Sequence, residues 1–535
     1  MPERSPGTNP PPLAALAARL FFPQTRSLGI DLGSYSPGLL RKIVHAGSNS
    51  VSFAQGSDFL LHLAEQSVDA KTVQRVTERI GEERLAQRDT LVESFQKLPL
   101  VKRDRSPRAD VPDLAVIMVD GGRIQILPDE HRRKQTVPKP DEATHPSVTA
   151  ASTPTVPSED ATPEVVAPMP VVPHEGETAA GEVPTPVGSN EVEKVEAVAP
   201  TPVVPSEGAT AEVIAPTAPS ESPAAAPQRR QGRWREDKVA ALLRMKSDIQ
   251  LVDPCPELPE VFRDPLGALK LAREVGHLAT VPAGAPFVSA GSAEKQKEAR
   301  EQEQAEEQRE QRQRRPGQPE VASRQVLATR QDNDSFGPMV AASAWSQGLM
   351  GAKRRAFVAD GSAANWSIQE KYFPRFEPIV DFIHVLSYVF AAATAGRSFT
   401  EGWPVYQEWI GWVWKGEVEK VLEAMRQREE ELEEGSVARK SVKTSRGYLE
   451  GQQGRMDYGR YRKEGMPIMS SVIESTVKQI GRRVKGSEKF WKEEGAEAVL
   501  QLRADGLSDD QPMDDFWKQR AERMTGQRSY KRRTA

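Results

Sequence analysis

The chain has 535 residues, enough for two or three domains, yet only 38% are hydrophobic and 6% aromatic, and 43 are proline. That balance predicts folded parts joined by disordered ones. A single cysteine, Cys255, excludes an intrachain disulfide and a cysteine-based zinc site, and a net charge of -4 says nothing by itself about nucleic acid, because acids and bases are unevenly spread. The N-terminus lacks the apolar core of a signal peptide. The most apolar run, residues 378–395, contains Asp381 and His384 and is short for a bilayer span. A soluble, cytoplasmic protein is expected.

Residues 1–24 are Pro-rich and expected to be disordered. Residues 25–105 have globular composition. A helix is expected at Phe59–Ala64, a turn and N-cap at Ser67–Asp69, and a second helix with Val73, Val76 and Ile80 opposite Lys71, Arg75 and Arg79. This outline suits a helix-turn-helix, and equally a plain helical hairpin with a solvated basic face. Leu114–Val119 reads as a buried strand rising to Asp120. Gly121–Gly122 reads as a turn, and Arg123–Leu127 as a returning strand. A carboxylate at a buried strand end is costly unless it is paired or holds a metal.

Residues 137–227 form a Pro/Ala/Thr/Val/Glu tract in which Thr153–Thr162 recurs as Thr201–Thr210. Too apolar-poor to offset its chain entropy, it is expected to be a long disordered acidic insertion. Val239–Met245 fits a strand, though its alanines would also suit a helix, and 258–277 reads as a helix. Residues 294–314, nearly all Glu, Gln, Lys, Arg and Ala, read as a solvated helix or a second loose insertion. A helix at 336–352 feeds a strand at 355–359 that runs into Asp360–Gly361, repeating the pattern at Asp120. A helix with Trp366 and Ile368 follows, then a strand at 376–382 containing Asp381, then a helix with His384 in its first turn. Trp403, Trp409, Trp412 and Trp414 mark a packed helical insertion at 401–465, whose later half is basic and interleaved with Tyr448, Tyr458 and Tyr461. A helix at 470–483 carries Glu474, Lys478 and Arg482 on one face. Residues 521–535 are a basic tail.

The expected order is three strands, helix, strand, helix, strand, helical insertion, helix. That is the order of a ribonuclease H-like α/β fold, with core segments at 110–136, 228–400 and 466–520. In that fold the first and fourth strands are neighbours, which would bring Asp120 beside Asp360, with Glu474 reaching them from the last helix. Three carboxylates suit two divalent ions, which activate a water or 3'-hydroxyl at a phosphodiester.

Val119-Asp120-Gly-Gly-Arg123, Trp234-Arg-Glu-Asp-Lys238, Val358-Ala-Asp360-Gly361, Asp381-Phe-Ile-His384, Arg455-Met-Asp-Tyr458-Gly-Arg460-Tyr461-Arg462, Pro467-Ile-Met-Ser-Ser-Val-Ile-Glu474-Ser475 and Arg483-Val-Lys485-Gly486 follow in order. With these motifs the chain resembles a DDE insertion-sequence transposase of the Mutator-like ISKra group. The resemblance implies Asp120, Asp360 and Glu474 as catalytic and metal-binding residues, with Mg2+, or Mn2+ in its place. His384 is implied as an accessory, and Asp381 as an accessory or the rival second acid. It implies double-stranded DNA as partner, both terminal repeats and target, and a homodimer associated with the nucleoid. It implies no membrane and no small-molecule substrate. Arg455, Arg460, Arg462, Lys478, Arg482, Arg483 and Lys485 are the expected DNA contacts. Cys-x-x-Cys pairs frequent near the N-terminus of related proteins are missing, which leaves end recognition to residues 28–100. A repurposed, catalytically inactive DNA-binding descendant is the alternative.

Overall fold

Residues 20–21, 35–126, 233–276, 281–286, 318–486, 489–523 and 527–528 are described by the computed structural model. The tract at 137–227, the charged run at 294–314, residues 1–19 and most of the basic tail lie outside them. The centre is a mixed five-stranded sheet. Its strands are β1 (Leu114–Ile126), β2 (Arg233–Lys246), β3 (Glu320–Thr329), β4 (Arg354–Ala359) and β5 (Glu377–Val380). Their spatial order is β3-β2-β1-β4-β5. β1, β2 and β3 pair antiparallel, and β4 and β5 run parallel to β1. An α/β class is therefore correct.

The sheet corrects two expectations. Gly121–Gly122 is not a turn: β1 continues through it to Ile126, with Gly121 opposite Lys238 and Gly122 opposite Asp237. Neither glycine has a positive φ. What calls for glycine at 122 is space, since a Cβ there would sit 2.8 Å from both carboxylate oxygens of Asp237. The separate returning strand at 123–127 is thus the far half of β1. The third antiparallel strand is instead β3, which the sequence did not reveal. It lies at the sheet edge, where the backbone N–H groups of Arg324 and Val326 donate to Asp509 Oδ2 and Ser508 Oγ. Those side chains close an edge that would otherwise be open to pairing.

Among its described residues the N-terminal part forms three long helices, α1 (Pro37–Asn49), α2 (Phe53–Ala64) and α3 (Ala70–Lys97), followed by a single turn at Leu100–Arg103. Asp69 caps α3 by accepting the Thr72 N–H, as expected. Val73, Val76 and Ile80 are buried, again as the periodicity predicts. α3 is 28 residues long, and Arg84 and Arg88 in its middle turn inward to Asp505 and Glu497.

Helices α4 (Pro265–Val275), α5 (Asn333–Ser346) and α6 (Ala363–Tyr372) flank the sheet strands in sequence. α7 (Phe382–Thr394) is almost wholly buried. The expected helical insertion comprises α8 (Phe399–Lys415), α9 (Val418–Glu431), α10 (Val437–Gln452) and α11 (Tyr458–Lys463). Gly416 ends α8 at a φ of +83. Then come α12 (Ser471–Val484), α13 (Glu493–Gly506) and α14 (Pro512–Arg523). The last two complete the N-terminal core: Leu502, Phe516 and Trp517 pack with Leu40, Val44 and Ile80. Among the described residues, no helix is long and apolar enough to cross a membrane.

Candidate functional site

Asp120 stands on β1 two residues beyond the last pairing of β1 with β4, Met118 with Val358. Its Oδ1 accepts the Gly121 N–H at 2.7 Å. Burial pushes its carboxyl up to about 6; the Gly121 N–H and the His384 charge oppose this, and the Asp360 and Asp381 charges add to it.

Asp360 follows the last residue of β4. Its Oδ1 accepts from the Ser362 N–H and the Asn365 side chain, both at 2.9 Å. The turn is fixed from outside. Tyr448 donates its hydroxyl to the Asp360 carbonyl at 2.7 Å and stacks on Tyr388 at 3.8 Å. Gly361 has a φ of +93, and a Cβ there would meet the Tyr448 hydroxyl at 2.7 Å. The expected Asp-Gly turn is present here.

Asp381 caps α7 and is fully buried. It accepts from the Ile383 and Ser470 N–H groups, from the Ser470 hydroxyl at 2.7 Å, and from His384 Nδ1 at 2.8 Å. Burial alone would lower the His384 pKa. The hydrogen bond and charge of Asp381, with Asp360 and Asp120 behind it, outweigh that and hold it up at about 9. The imidazole is therefore protonated at neutral pH. Glu474 lies in the first turn of α12, and the Ser470 hydroxyl reaches its Oε1 at 3.4 Å. Its pKa is raised, by burial first and then by Asp381, with Asp120 adding and Lys478 and His384 opposing.

The three expected acids and both accessories thus share one electrostatic neighbourhood. They do not form a coordination shell: among the described residues, no group of three or more Asp, Glu, His or Cys could hold a metal ion. Their chemistry suits a hard cation, whose charge would add to that of His384 in offsetting their mutual repulsion.

Beside Asp120 lies a cleft of about 640 Å3 lined by Gly121, Gly122, Arg123, Trp234, Arg235, Glu236, Asp360 and Lys485. Glu474 does not line it. Sequence reasoning assigned no role to Arg123, Trp234, Arg235 or Asp237, although they lie in Val119–Arg123 and Trp234–Lys238; only the antiparallel register brings these two segments face to face. Asp237 is 3% exposed and its Oδ1 has no hydrogen-bond partner among the described residues. Burial pushes it up to about 6, opposed by Lys485 and assisted by Asp120.

The expected DNA contacts divide. Lys478, Arg482 and Lys485 are exposed on and just beyond α12. Arg462 and Arg483 are not available to a ligand. Arg462 is 7% exposed, pairs with Asp253 through two nitrogens, donates to the Trp414 carbonyl and lies 4.1 Å over the Trp414 ring. Arg483 is 3% exposed, donates twice to the Gly47 carbonyl and is flanked by Phe53 and Trp491. Arg460 is engaged by Glu377, Asp457 and Glu464. Arg455 lies over the Trp366 ring and donates to Gly451 and Gln452. Tyr458 and Tyr461, expected beside DNA, are fully buried. Of these four arginines, two are buried and two are engaged by neighbouring groups at a partly exposed surface. No family model and no curated protein matches the chain.

Proposed function

We propose that the chain is a DNA transposase of ribonuclease H-like fold that cleaves phosphodiester bonds at element ends and joins the 3'-hydroxyl to target DNA. The sheet order supports the fold: three antiparallel strands, then two parallel ones, with the first and fourth adjacent. One observation carries the function. Asp120, Asp360 and Glu474 come from two neighbouring strands and from the helix after the helical insertion, yet Asp120 perturbs Glu474 and Asp360 perturbs Asp120. Natural proteins concentrate such mutual perturbation at functional sites.

Asp120, Asp360 and Glu474 are the residues that would hold Mg2+ or Mn2+. Bound there, such a cation would stabilise charge developing on a phosphodiester oxygen. Asp360 is favoured over Asp381 as second acid, because Asp381 is fully buried and its oxygens already accept four hydrogen bonds. On this reading Asp381 and His384 are positioning residues: through Ser470 they tie α7 to the start of α12, three residues before Glu474. Lys478, Arg482 and Lys485 supply exposed charge for the phosphate backbone of double-stranded DNA. Dimerisation follows from the need to hold two ends together.

The alternative is a non-catalytic DNA-binding descendant. The two separate in one experiment. Purified protein is incubated with Mg2+ and DNA carrying the reading frame and its natural flanks. The transposase reading predicts cleavage that Asp120→Asn, Asp360→Asn and Glu474→Gln each abolish while DNA binding persists. Binding without cleavage by the unaltered protein supports the second reading. Cleavage lost in Asp381→Asn but kept in Asp360→Asn would reassign the second acid.

A further inference from the structure

The chain has nine tryptophans, and eight belong to its two hydrophobic cores. The ninth is Trp234, 53% exposed at the start of β2. It lies in no ring pair and under no cation among the described residues, and it lines the cleft that also holds Asp120 and Asp360. An indole left in water beside a polar cleft forgoes the burial that the other eight obtain. Its surroundings indicate what could cover it. Trp234 pairs with Gln125, and Arg123 pairs with Glu236, so Arg123 stands diagonal to Trp234 on the same face of the two-stranded ribbon. Arg235 and Lys485 line the same cleft. Asp120, Glu236 and Asp360 balance these three cations, so the cleft is no general anion trap. It offers one flat apolar face flanked by phosphate-binding groups.

We infer that Trp234 is a stacking platform for an unpaired nucleobase of the DNA strand engaged at the acidic cluster, with Arg123, Arg235 and Lys485 holding the flanking phosphates. The inference rests on the nucleic-acid reading above and adds to it a requirement for an unstacked base. Aromatic faces bind any base, so the subsite would be tolerant of sequence.

The test uses the full chain in EDTA, with fluorescence anisotropy of two labelled probes: an oligothymidylate and an abasic sugar-phosphate oligomer of equal length. Trp234→Ala should weaken oligothymidylate binding about tenfold, within the range of one base–aromatic stack. Trp234→Phe should restore most of it. On the abasic oligomer, the unaltered protein and Trp234→Ala should bind alike. Equal oligothymidylate affinity for the unaltered protein and Trp234→Ala overturns the inference, as does an equal loss on both probes. If the unaltered protein binds neither probe nor flanking duplex DNA, the nucleic-acid reading itself falls, and the stacking site with it.

Discussion

Replacing Arg462 by methionine tests whether the basic run near the end of the insertion is a clamp or a DNA surface. The guanidinium meets Asp253 at 2.9 and 2.5 Å, with the two side chains 8% and 17% exposed. Desolvation works against the Asp253 charge, but the Arg462 hydrogen bonds, the Cys255 N–H and the Arg462 and Lys463 charges together outweigh it and hold its pKa down. Removing one partner of a buried pair costs about 3–5 kcal/mol, because the other charge stays behind. The lower figure applies here, since Asp253 keeps some water and methionine still covers the Trp414 ring. For about 350 described residues, an unfolding entropy near 2.1 cal/mol/K per residue converts about 3 kcal/mol into a melting shift of about 4 °C. Calorimetry should find that drop, with affinity for duplex DNA unchanged in the folded variant. Asp253→Asn in the Arg462→Met background should cost little more, because the pair is already broken. An unchanged melting point, with weaker DNA binding and a salt slope smaller by about one, would refute the clamp and restore Arg462 as a phosphate contact.

Three other outcomes follow from the site. The His384 pKa is raised from 6.5 to about 9, so its pair with Asp381 contributes fully below pH 6.5 and is lost as pH rises through 9. In metal-free buffer, urea titrations should lose up to about 3 kcal/mol across that window, and His384→Asn should flatten the profile. Asp237 has the opposite sense: its carboxyl is raised from 3.8 to about 6, so the cost of burying its charge is absent below 3.8 and complete above 6. Asp237→Asn should therefore stabilise the chain at pH 8 by up to about 3 kcal/mol, with the gain shrinking as pH falls below 6; destabilisation at pH 8 would mean the carboxylate has a partner. Gly361→Ala forces a side chain onto a φ of +93 and against Tyr448, and should cost about 1–3 kcal/mol in chemical denaturation, with the turn at Asp360 displaced; wild-type stability would contradict the account of that turn.

What could be read in advance was local. The run Leu114–Val119 and the Asp69 cap carry their signals within a few residues and appear where expected, whereas Asp381, expected within a strand, caps α7. The extension of β1 through two glycines was hidden because its cause, the Asp237 carboxylate, is more than a hundred residues away. β3 was hidden because only its last four residues are buried, and Ser323, Arg324 and Gln325 interrupt the alternation that marks a strand. The fate of the arginines was least legible. Arg462 and Lys485 look alike as charges, and only the fold reveals that Asp253 waits for one of them 209 positions away.

On the proposed reading, Asp120, Asp360 and Glu474 close around divalent cations. Mn2+ binding followed by electron paramagnetic resonance, in the presence of the flanking DNA, tests it most directly. The account predicts saturable uptake by the unaltered protein that Asp120→Asn, Asp360→Asn and Glu474→Gln each weaken at least tenfold, with Asp381→Asn affecting it less. No specific Mn2+ uptake, or uptake indifferent to all three substitutions, would contradict it.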